Sequence, residues 1–443
     1  MSDLKNIVII GGSCAGLSAA NTLVPNLPTT HRILVIDALP FGFWPIAALR
    51  AAVVPGWEKR VSVPLTTATV FPAGSEHKVL APYKVVELKQ NSVILDKEFE
   101  GSTEVPFFVG PSQPCPKKLS SSTDLATPQK ALIATGSLQP SPMRPSADST
   151  AESWQKDLVR IQNDLVKATN VVVIGGGSVG LEVAGEIRAQ HPKVKITIVH
   201  PETHVMHPAA SVDPVKNGVT SYSSPPTLPK LSTALEKALK DIDITTVLGD
   251  KVVIAKGDVA EGDWNGSFGI QTGIKTVKLE SGKTLEADYV FMSVGNKPNT
   301  GLVAKADSAA LDNDLVTVDE YLRVKSTNPA SILTKNYFAA GDCSNIVGWK
   351  NSQTADAYAA SAANNIIGEV KSRALKKLAI ERKAFMMIPL GPAHGSGSVT
   401  LPYVGTFVAP EFMVRKGKGE DLLIQSTFLP RFKGSQKVSV PAA

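Results

Sequence analysis

Cysteine is scarce in this 443-residue chain: Cys14, Cys115 and Cys343 are all there is. No two of them form a C-x-x-C pair and none has metal-ligand spacing, so neither a dithiol motif nor a metal centre is expected. An odd, small count favours a reduced, intracellular protein over a disulfide scaffold. No apolar run approaches the ~20 residues that cross a bilayer. No block of Lys and Arg marks a nucleic-acid surface, and nucleic acid is not an expected partner. Charged residues make up only 19% of the chain, with a net charge of +6 spread along it. That mild excess suits phosphate-bearing ligands, an acidic partner or anionic lipid. The first strand starts by Ile7, so no leader peptide is expected. Ser2 is not the glycine of a myristoylation signal, and the terminal Pro-Ala-Ala is no prenylation box. The expected location is cytoplasmic, with membrane or mitochondrial association open.

What the chain does contain is small residues at strand ends. Asn6 to Ala20 reads NIVIIGGSCAGLSAA. The uncharged, β-branched run Ile7–Ile10 suits a strand buried on both faces, and Leu17–Leu23 reads as a helix. Between them Gly11 and Gly16 fill the first and third roles of a dinucleotide turn, the tight bend and the close helix–strand contact. Gly12 and Ala15 complete the turn, and Ser13 stands where the second glycine would be. A helix N-terminus offers unpaired N–H groups to phosphates. The next strand, Arg32–Ile36, ends in Asp37, at the spacing of the acid that holds a ribose hydroxyl. A purely structural strand–turn–helix is the alternative.

The pattern recurs. Asn170 to Ile187 reads NVVVIGGGSVGLEVAGEI, in which Gly175, Gly177 and Gly180 complete G-x-G-x-x-G and Ser178 opens the helix. Two such turns in one chain point to two nucleotides exchanging electrons. In the second copy the strand Lys195–Val199 is followed by His200 in the acid position. A histidine neither holds the 2′-hydroxyl as an acid does nor repels a 2′-phosphate, so NADH and NADPH are both expected there. Glu202 is a second candidate for the ribose, or simply an exposed acid.

Three further strand ends complete a series: ALIATGS with Thr135-Gly136, FMSVGNKPNT with Gly295, and YFAAGDCSN with Gly341-Asp342. This order resembles the two-dinucleotide-domain flavoprotein reductases over roughly residues 5–370. FWPIAALRAAV (Phe43–Val53) and the stretch Ala339–Ile366 carry a resemblance to the apoptosis-inducing-factor-like branch. The implied fold is α/β: two Rossmann-like three-layer dinucleotide-binding domains, glutathione-reductase-like, plus a small C-terminal α+β domain.

By the same resemblance the first loop holds FAD, Asp342 contacts its ribityl chain, and the following helix N-terminus faces its phosphates. The second loop takes NADH or NADPH. Arg50 would lie near the flavin, with a surface helix position as the alternative. Glu182 would lie near the nicotinamide and pair with a lysine, for which Lys350 is the candidate; a solvated loop lysine is the alternative. Glu186, one turn on, reads as a packing or salt-bridge residue. The paired glutamines of type 2 NADH:quinone oxidoreductases have no clear match, since Thr354–Ala363 is alanine-rich.

With no cysteine pair by the flavin loop, the acceptor is expected to take electrons directly from flavin. The expected activity is FAD-dependent NAD(P)H oxidation with a quinone-like acceptor. A reductase of a small electron-transfer protein such as a ferredoxin, and a non-catalytic NADH-responsive signalling protein, are the rivals.

The expected domains are FAD-binding, 1–165 with 290–370; NAD(P)H-binding, 166–289; and a C-terminal acceptor-side domain, 371–443. Gly101–Thr127 and His207–Pro229 read as a surface loop and an insertion, Leu231–Lys240 as a helix, and Glu261–Gly273 as a hairpin region. In the tail, KSRALKKLAIERK reads as a basic helix, and AFMMIPLG, SGSVTLPYV and DLLIQSTFL as strands. Phe407, Phe412 and Met413, near Arg415, Lys416 and Lys418, form either a peripheral membrane contact or ordinary core.

Overall fold

The computed structural model describes residues 4–107, 130–217, 226–255, 257–380, 385–401, 403 and 405–442. The apolar runs that precede the glycine turns become the middle strands of two sheets. In the first sheet the order is Tyr337–Ala339, Ala131–Ile133, Lys5–Ile10, His31–Ile36 and Lys78–Leu80, all parallel. Ile7, Val8 and Ile9 are wholly buried. A strand covered on both faces needs no polar alternation, which is why the run reads as continuous apolar sequence.

Helix Cys14–Leu23 packs against the long helix Ser352–Val370. Ala19 and Ala20 are buried on the first, and Ala355, Ala359, Ala362 and Ala363 on the second. Small side chains permit the two backbones to approach closely, which gives the alanine-rich stretch a packing reason.

The second sheet runs Thr245–Leu248, Lys195–His200, Asn170–Ile174, Thr284–Met292 and Gly269–Lys278. Only the last strand is antiparallel, forming a hairpin with Thr284–Met292. Helix Pro229–Asp241 buries Leu231, Leu235 and Leu239, one residue per turn. That spacing is the amphipathic stripe visible in the sequence.

The tail differs from expectation in two places. Phe385–Leu390, His394–Leu401 and Gly405–Ala409 do form an antiparallel sheet. KSRALKKLAIERK, however, is not a helix in its described part, residues 371–380. Ser372 takes a positive φ of 51°. The Asn365 side chain then binds both backbone groups of Lys376: its Nδ2 donates to the carbonyl at 2.9 Å, and the Lys376 N–H donates to its Oδ1 at 2.8 Å. Those groups are no longer available to helical pairing. DLLIQSTFL is not a strand either. Leu422 and Leu423 sit at φ 54° and 63°, and Ile424–Phe428 coils into a helical turn. It delivers Ile424 and Phe428 to the core, where Phe428 stacks on Trp44 at 5.5 Å.

Gly101–Thr127 enters the strand Ser102–Pro106, while its residues 108–127, Cys115 among them, lie outside the described residues, as do residues 218–225 of the expected insertion. Among the described residues no helix is long and apolar enough to cross a membrane.

Candidate functional site

Both glycine turns are built on one steric requirement. A Cβ on Gly16 would stand 1.8 Å from the Gly11 carbonyl oxygen, and a Cβ on Gly180 would stand 1.9 Å from that of Gly175. Each helix crosses its strand so closely that only hydrogen fits. Gly11 (φ 111°) and Gly175 (φ 109°) make the bends themselves. Ser13, in the middle position of the first turn, has ordinary extended backbone and precedes the helix, so it costs the turn nothing.

Asp37 closes the first turn. The Gly12 N–H donates to its Oδ2 at 2.6 Å and the Leu39 N–H to its Oδ1 at 2.8 Å. Burial raises its pKa against those two bonds. His200 does the same work in the second turn. The Gly176 N–H donates to Nδ1 at 3.1 Å, so the ring proton is on Nε2, which faces the Met206 carbonyl at 3.2 Å. Burial holds the imidazole below its usual pKa, so it is neutral. Both ring nitrogens are consumed by backbone. His200 therefore shapes the turn through both ring nitrogens.

The first turn opens on a cavity of about 830 Å³. Gly11, Ser13, Cys14, Ala15 and Asp37 line one side. Thr135, Gly136, Gly341 and Asp342 line the next. The strand ends interlock there: Thr135 Oγ1 donates to the Asn299 carbonyl at 2.6 Å, the Asn299 N–H donates to Gly136 at 2.9 Å, and Ser137 Oγ donates to Asp342 at 3.2 Å. Gly295 (φ 98°) turns the chain at an exposed position outside the lining. The helix after Gly-Asp begins only at Ser352, ten residues beyond Asp342, and its N-terminus lines the cavity beside Lys350.

Ser178 and Glu182, from the second turn's helix, also line it. Burial raises the Glu182 pKa, and Lys418 opposes that rise. Lys418, not Lys350, is the partner: its Nζ lies 2.6 Å from Glu182 Oε1. Lys350 does line the cavity, but its Nζ donates to the Ser344 and Ile346 carbonyls at 2.6 and 3.1 Å, and burial lowers its pKa. The expected Glu182–Lys350 pair is thus replaced by one that reaches across 236 residues.

Arg50 also departs from expectation. It does not line the cavity. Its Nε and Nη2 grip Glu186 at 2.8 and 2.7 Å, and Nη1 donates to the Gly419 carbonyl at 2.7 Å. The apolar run that encloses it is the reason: a buried guanidinium is held by its ion pair. Glu186 is the salt-bridge residue its position suggested.

Two lining residues had no clear sequence signal. Lys418 sits in RKGKG, which reads as a solvated basic loop. Arg144, eight residues after Gly136, lines the cavity and donates through Nη1 to the Ser137 carbonyl. Cys14 lines it too, but burial pushes its thiol up to about 11, so no thiolate is present at neutral pH. Of these tail residues, Phe407 and Met413 pack against Val399, Ala409 and Val414, while Phe412 stands exposed.

Two glycine turns of one geometry, with Ser178 and Glu182 from the helix of the second lining the cavity of the first, suit a protein that holds two nucleotides. The chain belongs to the pyridine nucleotide-disulphide oxidoreductase family, whose sequence profile matches residues 5–363. It is similar to ferroptosis suppressor protein 1 of Homo sapiens, 24% identical over 432 residues and 96% of each chain. It is also similar to apoptosis-inducing factor homolog B of Dictyostelium discoideum, 24% identical over 404 residues and 89% of each chain.

Among solved structures, the NAD-dependent persulfide reductase of A. fulgidus shares the fold with a TM-score of 0.58 at 19% identity. The match covers 90% of this chain and 64% of that longer one.

The family implies FAD and NAD(P)H, and a flavin-dependent NAD(P)H oxidoreductase. The residues present fit FAD. The turn at Gly11–Gly16 lines the cavity and packs its helix tightly on its strand, with only the small Ser13 side chain at the middle position, and the cavity is within the size range of a cofactor site.

Proposed function

We propose that this chain takes hydride from NAD(P)H onto FAD and passes the electrons to a quinone-like acceptor. FAD, when bound, supplies the carrier that joins hydride chemistry to electron transfer. One observation carries the acceptor. The cavity end that holds Glu182 and Lys418 is walled by Met386, Met387, Ile388 and Leu423, and Lys418 Nζ also donates to the Met387 carbonyl at 3.2 Å. A charged pair beside an apolar wall suits a ring with polar carbonyls and an apolar body. The protonated Cys14 argues against disulfide exchange.

In this reading the first loop and Asp37 hold the FAD nucleotide, and Asp342 holds the ribityl chain. Glu182 orients the nicotinamide carboxamide, and Lys350 lies at the flavin. Because His200 is neutral, the second turn accepts NADH and NADPH alike. The FAD-binding domain is discontinuous, 1–165 with 290–370, and encloses an NAD(P)H domain at 166–289. Phe385, at the cavity rim, and Phe412 stand exposed on the C-terminal domain, an arrangement suited to peripheral contact with a lipid surface from which an apolar acceptor would come.

The test is the visible spectrum of the purified protein under anaerobic NADH, then NADPH, followed by a short-chain quinone. The expected result is a flavin spectrum that bleaches with either nucleotide and returns with quinone. Return only with oxygen or with a salt-sensitive protein acceptor would overturn the quinone assignment.

A second prediction concerns Lys418. Its charge favours the ionised form of Glu182, so Lys418→Met should raise the Glu182 pKa further. The acid limb of the pH profile for NADH-driven bleaching should then move upward, by on the order of one unit. Lys418→Arg should leave the limb near its original place. An unmoved limb in Lys418→Met would remove Glu182 from the reaction.

A further inference from the structure

We infer that Arg50 is a positioning residue for the hydride step: it ties the segment that carries Lys418 to the helix that carries Glu182, and so sets the geometry of that pair. The inference rests on the reading that Glu182 serves the nicotinamide.

Arg50 stays outside the cavity, so it can act only through other groups. It rises from the short helix Pro45–Ala51 between two elements that lie far apart in sequence. On one side is the helix Ser178–Gln190, where Glu186 follows Glu182 by one turn on the same face. Arg50 Nε and Nη2 take both carboxylate oxygens of Glu186. On the other side is the segment Arg415–Gly419. Nη1 donates to the carbonyls of Gly419 at 2.7 Å and Glu420 at 3.3 Å, the two residues that follow Lys418. One planar guanidinium thus spans from the turn after Glu182 to the peptides after Lys418, and the two charged side chains meet at 2.6 Å.

The hold falls where it is needed. Lys418 stands between Gly417 and Gly419, so neither neighbour has a side chain to anchor it. Arg50 is itself fixed: it is buried, and its guanidinium lies 4.7 Å from the centre of the Trp57 ring. A lysine in its place would keep the charge but lose the fork that reaches both elements at once.

Charge separates positioning from a direct effect. Burial and Lys418 act most strongly on the Glu182 carboxyl; beyond them Glu186 raises its pKa and Arg50 lowers it, Glu186 the more strongly. Removing both members of the Arg50–Glu186 pair therefore lowers the Glu182 pKa directly, whereas a displaced Lys418 raises it. The two routes have opposite signs.

The experiment follows NADH-driven bleaching of the full-length, FAD-loaded chain across pH. The variants are Arg50→Met with Glu186→Leu, Lys418→Met, and all three changes together. The paired change should keep its FAD, bleach on the order of tenfold more slowly, and move the acid limb upward, as Lys418→Met does. Adding Lys418→Met to the paired change should then move the limb little further, because both act through one contact. Arg50→Lys, which keeps a cation beside Glu186, should show the same upward movement to a smaller degree, and it carries the test if the paired change does not fold. A limb that stays in place or moves downward would overturn the proposal. So would a Lys418→Met shift as large in the paired background as in the unaltered chain, since the two changes would then be independent. If Lys418→Met alone left the limb unmoved, the underlying reading of Glu182 would fail instead.

Discussion

Gly180→Ala is expected to give a protein that keeps its FAD yet is bleached by NADH about a hundredfold more slowly than the unaltered chain. The cause is local. The new methyl would stand 1.9 Å from the Gly175 carbonyl oxygen and 2.8 Å from Ser293 Oγ. Backbone cannot yield as a flexible side chain can, so the helix Ser178–Gln190 must lift from its strand. That movement displaces Glu182 and opens the second turn. The first sheet and its cavity loops are left in place.

The matching change in the first turn, Gly16→Ala, should instead abolish FAD retention, because the clash there is with Gly11 at 1.8 Å. The checks are the ratio of flavin to protein absorbance, stopped-flow bleaching by NADH, and photochemical reduction to show that the retained flavin is intact. Equal bleaching rates for Gly180→Ala and the unaltered chain would detach the second turn from NAD(P)H.

Arg50→Met should cost about 3–5 kcal/mol of stability. The Arg50 and Glu186 side chains are 3% and 2% exposed, and the pair is bidentate. Removing the guanidinium leaves a carboxylate in the core with no counter-charge, and leaves the Gly419 carbonyl without its donor. The double change Arg50→Met with Glu186→Leu should restore most of the loss, since an apolar pair of similar volume needs no compensation. Denaturant unfolding at saturating FAD measures both. If the single variant were as stable as the parent, the pair would be incidental to the fold.

The parts legible in sequence were those set by local sterics. A continuous β-branched run, a glycine at the bend and another five residues on have one backbone solution, and it appears twice. The strand ends Thr135-Gly136 and Gly341-Asp342 were legible too, because those strands stop where the cavity begins. Partnerships across the chain were not legible. Nothing near residue 182 announces Lys418, and Arg50 takes its meaning from Glu186, 136 residues away. The tail misled for a similar reason. The lysines of 371–383 favour helix locally, but one asparagine from the preceding helix takes the backbone of Lys376 first. DLLIQSTFL is apolar enough for a strand, yet it coils to put Ile424 and Phe428 into the core, Phe428 against Trp44.

The cavity's last wall has a consequence for biosynthesis. Gly417, Lys418, Leu423 and Thr427 line it, and the Trp44 indole donates to the Leu422 carbonyl at 2.7 Å. In order of translation these residues follow every other wall of the cavity. While the chain is still emerging, both sheets can form, yet the far end of the cavity stands open and Glu182 has no cation. The cofactor therefore has an unobstructed way in before the tail docks, and Gly417 and Lys418 close over it in the step that also completes the Glu182–Lys418 pair.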